Sequence, residues 1–204
     1  IVGFQVSDQV LRSVAVFTFR NGSAELLLMN GYSKMLPCNL SGGRSELMVL
    51  RPGEEENERG MAVLYSYRDG QIVRSVETEL SEHPSRIRRI TTGKLQDDVP
   101  AVFVTSSSGD NTIVTDIFAV KDGEFTNVSF STEADTSIGT LLNCYVYAED
   151  IDADGILELP GLITMKPVGS WREDEQKFLL RWYSLDSEGW ELDKMYTFHN
   201  YLGG

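Results

Sequence analysis

An all-β fold, built from about four consecutive four-stranded antiparallel sheets, is what this 204-residue sequence predicts. Three observations lead there. First, the turn pairs Asn21-Gly22, Asp69-Gly70, Asp122-Gly123 and Glu188-Gly189 each sit between two stretches in which apolar and polar residues alternate. Asn-Gly and Asp-Gly supply the positive φ angles of a tight hairpin, and alternation with a period of two marks a half-buried strand. Their glycines, at 22, 70, 123 and 189, follow one another at 48, 53 and 66 residues. Second, a weaker segment recurs with nearly the same period, since its matched positions Glu46, Ala101 and Glu158 lie 55 and 57 residues apart. Third, no stretch sustains a capped i, i+3, i+4, i+7 apolar stripe, so helices are not expected. A hairpin that returns every ~40–60 residues is the pattern of stacked small sheets such as the blades of a β-propeller.

Residues 1–204 thus form a single repeat domain, with blades at roughly 1–32, 33–80, 85–132 and 141–200. Ile1-Val-Gly-Phe-Gln-Val reads as the second strand of the first blade, followed by 11–20 (ending VAVFTFR) and 24–32. That blade lacks its inner strand. The second blade has strands at 33–39, 46–51, 61–68 and 71–79, the third at 86–92, 100–105, 112–121 and 124–131, and the last at 142–149, 157–165, 178–186 and 190–199. A partial β-propeller of about four blades follows, expected to be a fragment of a longer propeller. Exposed sheet edges invite pairing with another chain, so self-association through open blade edges is expected as well.

The formal net charge of −13 excludes the basic stripe of a nucleic-acid-binding protein and disfavours docking on anionic lipid. No apolar run reaches the ~20 residues of a membrane helix, so no membrane insertion is expected. Cys38 and Cys144 stand at unlike positions in their repeats without metal-ligand spacing, and read as small buried hydrophobes. The acidic run Glu54-Glu-Glu-Asn-Glu-Arg59 falls between a second and a third strand, where it reads as a solvated turn. Its counterparts, 106–111 and 166–177, vary in length and composition, and loops that vary on a rigid scaffold are where recognition usually resides.

The strongest chemical signal is the segment Asp-Ile-Asp-Ala-Asp-Gly-Ile-Leu-Glu over 150–158. Asp150, Asp152, Asp154, the carbonyl of Ile156 and Glu158 occupy positions 1, 3, 5, 7 and 9, with Gly155 at position 6 for the sharp turn. Ca²⁺ takes six to eight oxygens at ~2.3–2.6 Å, and alternating carboxylates on a tight turn supply them. Acids packed this closely repel one another unless a cation sits between them. A structural Ca²⁺ is therefore expected here. Asn39-Leu-Ser-Gly-Gly-Arg-Ser-Glu46 is an eroded copy, one residue shorter, and Gly93–Ala101 (with Asp97 and Asp98) a fainter one without the terminal acid.

The acidic string between two strands, repeated in weaker form, resembles the FG-GAP/VCBS-type repeats of β-propellers, including integrin α-subunit head domains. The likeness covers most of the chain as a periodic pattern, while only the 150–158 loop matches the metal motif. It implies that the loop joins the first and second strands of a blade around a structural Ca²⁺. The whole also resembles exported proteins of Gram-positive bacteria, which implies an extracellular or cell-surface setting.

Residues with catalytic potential are few. The innermost strands offer Lys34, Cys38, Arg86, Arg88, Arg89, Cys144 and Glu149, without the facing carboxylate pair of a glycosidase. Arg86 and Arg88, on one face of a strand, read as partners of internal salt bridges or as the lining of an anion site. His83 and His199 have no nucleophile motif beside them, and neither a phosphate-cradling loop nor HEXXH is present. Trp182 belongs to an alternating strand and reads as core, Trp190 follows a turn and reads as a staple of its hairpin, and Trp171 reads as packed down onto its blade, with an exposed sugar-stacking platform as the alternative. The leading expectation is a non-enzymatic extracellular binding or scaffold module with one calcium loop, whose ligand is a protein or polysaccharide. The alternative is a carbohydrate-active enzyme domain, glycosidase or lyase, completed by blades outside this segment.

Overall fold

Asn21 and Gly22 adopt φ of 51° and 79°, and Asp69 and Gly70 adopt 51° and 85°. Both pairs form the primed turns whose twist matches that of the flanking strands. This computed structural model describes residues 2–5, 12–42, 45–53, 59–96, 99–108, 112–121, 124–133, 147–165, 175–185 and 190–201. The turn pairs Asp122-Gly123 and Glu188-Gly189 lie outside them, as do Trp171, Cys144 and most of the acidic run at 54–59.

The strands make four antiparallel sheets. Sheet 1 has the order β1 (Val2–Gln5), β2 (Arg12–Arg20), β3 (Ser23–Tyr32). Sheet 2 is β4 (Lys34–Cys38), β5 (Glu46–Arg51), β6 (Met61–Arg68), β7 (Gln71–Glu79). Sheet 3 is β8 (Ile87–Gln96), β9 (Val99–Ser107), β10 (Thr112–Lys121), β11 (Glu124–Glu133). Sheet 4 is β12 (Leu159–Met165), β13 (Glu175–Leu185), β14 (Trp190–Tyr201). Each is a simple up-and-down meander, and among the described residues none closes on itself. Helical structure there is confined to a 3₁₀ turn, Pro84–Arg86.

Among the described residues sheet 1 has three strands, where sheets 2 and 3 have four. Of the strand expected at 142–149, only Tyr147–Glu149 is described, with Glu149 and Glu158 exchanging both backbone hydrogen bonds at 3.0 and 3.1 Å. The repeats share a detail that sequence alone did not reveal. The hairpins β2–β3, β6–β7 and β13–β14 each carry one bulge, after Val16, Leu64 and Trp182. The extra residues are Leu27, Ser75 and Asp193, on the outermost strand in every case. A bulge raises local twist and bends the edge strand away from flat pairing.

Two segments depart from the expected elements. Arg86 sits in the 3₁₀ turn rather than on a strand, because His83 caps that turn, its Nδ1 accepting the Ser85 N–H at 3.2 Å, and Pro84 occupies its first position. Arg86 pairs with Glu82 at 3.0 Å, and Arg88 Nε donates to Ser107 Oγ at 3.3 Å, so the two arginines do not share one strand face. The strands reach further into the segment expected as a loop over 93–101: β8 continues to Gln96 and β9 starts at Val99. Leu95 is buried in the core, which keeps the chain in strand to that point. Ala101, opposite Ala119, stands where sheet 2 pairs Glu46 with Ser66, so no carboxylate is there to hold a wide loop open.

The chain divides into two compact units, Ile1–Ile87 and Arg88–Gly204. In the first, Val14, Val16 and Tyr32 of sheet 1 pack on Leu47, Val49, Val63 and Tyr65 of sheet 2. In the second, Leu95, Ala101, Phe103, Ile117 and Ala119 of sheet 3 pack on Ala148, Leu157 and Leu159 at the entry to sheet 4. Both faces of β5, β6 and β9 are buried, which explains why these strands read as continuous apolar runs. Burial of each large apolar side chain contributes about 1.5–3 kcal/mol. Trp182 is buried, as its alternating strand predicts.

Candidate metal centre at the 150–158 loop

The loop turns sharply because two residues take the left-handed conformation, Ala153 (φ 65°) and Gly155 (φ 90°). Glycine pays nothing there, while alanine adopts it against its preference. The aspartates hold the turn through their own backbone. Asp150 Oδ1 accepts the Asp154 N–H at 3.2 Å and its Oδ2 the Gly155 N–H at 2.9 Å. Asp152 Oδ1 also accepts from Asp154 N–H, at 3.3 Å, and Asp154 Oδ1 accepts the Ile156 N–H at 2.7 Å. These are Asx-type turns that pre-shape the loop.

Three of the predicted ligands converge. One carboxylate oxygen from each of Asp150, Asp152 and Glu158 lies within 4.8 Å of the others. Two oxygens on opposite sides of an ion bound at ~2.3–2.6 Å are about that far apart, so the spacing fits a shared hard cation. Asp154 does not join this group and faces the Ile156 N–H instead. Ile156, the expected carbonyl donor, bridges in parallel to Lys94 of β8.

Glu158 differs from the aspartates in its setting. They are exposed, whereas Glu158 is only 2% exposed. Its Oε2 accepts the Ile151 N–H at 2.9 Å. Burial pushes its pKa above the ordinary carboxylate value, and the charges of Asp152 and Asp154 add to the shift, with the Ile151 hydrogen bond acting against it. A cation beside Glu158 would relieve both effects.

The eroded loop at 39–46 solves the same problem by other means. Glu46 is as deeply buried, at 4% exposure. Its Oε2 accepts from Leu40 N–H at 2.8 Å and Ser41 N–H at 3.1 Å, while Oε1 accepts from the Ser41 and Ser66 hydroxyls. Four donors converge on one carboxylate, and no second acid joins it in a metal-like cluster. Among the described residues, the group at 150–158 is the only such convergence of His, Cys, Asp or Glu. Asp97 and Asp98 lie outside those residues.

Two features of the loop's anchorage were not legible in the sequence. Leu157 N–H donates to the Lys94 carbonyl at 2.9 Å, which fastens the end of the loop to β8 of sheet 3. A Cβ on Gly93 would stand 2.6 Å from Leu157 Cγ and Cδ1, so this strand glycine is required by the close approach of Leu157. Nearby, Arg89 stacks over the Tyr147 ring at 4.9 Å and lies 3.9 Å from Glu149. Cys38, opposite Glu46, is a half-buried free thiol whose pKa is pushed up to about 12, by burial first and by the Glu46 charge second. Comparison of the chain with family models, with curated proteins and with solved structures finds no match.

Proposed function

We propose that the chain is a run of propeller-type blades that serves as a binding or scaffold module outside the cell, with the 150–158 loop holding a structural Ca²⁺. The observation that carries this reading is the approach of Asp150, Asp152 and Glu158 to within 4.8 Å on a loop already shaped by its own hydrogen bonds. When bound, the ion would neutralise the repulsion among the carboxylates, and Asp150, Asp152 and Glu158 would hold it. The role is mechanical: the loop ends on β8 through Leu157 and Lys94, so filling it would lock sheet 4 onto sheet 3. Three carboxylates on an otherwise exposed turn suit a weak site, with Kd on the order of 10⁻⁴–10⁻³ M, as in extracellular modules where calcium is abundant.

With Kd in that range, Ca²⁺ at ~10 mM adds about 1.4–2.7 kcal/mol, or roughly 3–10 °C in Tm for a chain of this size. Calorimetry with Ca²⁺ and with EDTA is expected to show that rise in the wild type and none in Asp152→Asn. Melting curves of the wild type that ignore both calcium and chelator refute the reading.

A further inference from the structure

The hairpin β2–β3 contains two Asn-Gly steps, Asn21-Gly22 at its turn and Asn30-Gly31 near its end. Asparagine is thermolabile, most of all before glycine, which has no Cβ to shield the next backbone nitrogen from the asparagine side chain. The two steps differ in what holds them. Asn30 lies inside β3, half-buried, opposite Val14 of β2. Its Nδ2 donates to the Tyr65 hydroxyl at 2.6 Å, and its Oδ1 accepts the Gly31 N–H at 2.9 Å. Both ends of that side-chain amide are engaged, and the Gly31 nitrogen spends its hydrogen on the oxygen. Asn21 and Gly22 are exposed. The ladder closes at Arg20 and Ser23, so the Gly22 N–H lies outside it. A Cβ built on Gly22 would meet nothing within 4 Å, so there is open space around the turn. Asp69, the matching turn residue of sheet 2, is exposed as well, although sheet 1 packs on that sheet. The exposure therefore belongs to the hairpin tip and not to an uncovered sheet face.

We infer that Asn21 is a site of spontaneous deamidation, and that its isoaspartyl product loosens the hairpin β2–β3. Hydroxide removes the Gly22 amide proton, and the nitrogen attacks Asn21 Cγ. The new C–N bond closes a five-membered succinimide. The bond from Cγ to Nδ2 breaks, and ammonia leaves with a proton taken from water, which restores the hydroxide. Water then opens the ring. Attack at Cγ leaves an ordinary backbone with aspartate at 21. Attack at the backbone carbonyl leaves the chain running through the side chain, as isoaspartate. Either product adds one negative charge to the formal −13. Aspartate fits the turn, since Asp69 holds the same φ of 51° as Asn21. Isoaspartate inserts a methylene into the main chain, and a two-residue turn then loses the twist that matches its strands.

Prolonged incubation of the full chain in mildly alkaline buffer, followed by peptide mapping with mass spectrometry, tests this. Conversion at Asn21 is expected to outrun that at Asn30 about tenfold or more, and to quicken as pH rises. The same chain unfolded in urea is expected to convert at both steps at similar rates, because only the folded hairpin separates them. Asn21→Asp, which installs the turn pair native to sheet 2, is expected to keep the Tm of fresh wild type. The isoaspartyl fraction, separated from aged protein by ion exchange and mapping, is expected to melt roughly 2–8 °C lower. The inference is overturned if Asn30 converts as fast as Asn21 in the folded chain. It is overturned equally if Asn21 stays intact when folded while the urea-unfolded chain converts, or if the isoaspartyl form melts with fresh wild type.

Discussion

Replacing Gly93 with alanine sets two effects of opposite sign against each other, and the structure says which wins. Gly93 lies inside β8, where glycine costs about 0.5–1 kcal/mol relative to alanine through backbone entropy. Without a neighbour, the substitution would stabilise the protein by that amount. The added Cβ, however, would sit 2.6 Å from both Cγ and Cδ1 of Leu157 and 3.2 Å from Cδ2. Leu157 is held by a backbone hydrogen bond to Lys94 and by the core of sheets 3 and 4, so its Cγ cannot swing aside as the tip of a flexible chain would. Overpacking of this kind costs about 1–3 kcal/mol, which exceeds the entropic gain. The expected net loss is about 1–2 kcal/mol, or roughly 2–8 °C in Tm. A double-mutant cycle with Leu157→Ala, followed by urea denaturation, isolates the contact. In the Leu157→Ala background the obstacle is gone, and Gly93→Ala is expected to become neutral or stabilising by up to about 1 kcal/mol. An equal loss in both backgrounds would show that Leu157 does not rest on β8, and the anchorage of the acidic loop would have to be redrawn.

Two further outcomes complement the calcium test. Glu46→Ala strips the acceptor from Leu40 N–H and Ser41 N–H, and Leu40 is only 3% exposed, so a loss of about 2–4 kcal/mol is expected on denaturant unfolding, with or without Ca²⁺. Cys38 is expected to resist alkylation: with its pKa moved from 9.0 to about 12, the thiolate fraction at pH 8 falls by about three powers of ten. Peptide mapping after iodoacetamide reads this at Cys38 alone. The rate should rise with pH well beyond 9, and full labelling within minutes at pH 8 would refute the burial.

What the amino-acid order determined by itself was local. Asn21-Gly22 and Asp69-Gly70 carry their turn conformation in their own chemistry, and alternation around them assigns the strands, so sheets 1 and 2 were legible nearly to the residue. The aspartates at 150, 152 and 154 bond to backbone two to five residues away, which is why the loop could be read from spacing. Tertiary structure decided whatever depended on partners far along the chain. Ala101 and Leu95 drew residues 93–96 into β8 by joining the core, against the faint acidic pattern, and Pro84 with His83 removed Arg86 from the strand. Glu46 and Glu158 occupy the same place in two repeats. Only the folded loops show that one carboxylate is satisfied by four protein donors, while the other faces Asp150 and Asp152. Short-range hydrogen bonding is written in neighbouring residues. Burial and the choice of a distant partner are properties of the packed chain, and they alone separated a metal-like loop from its self-sufficient counterpart.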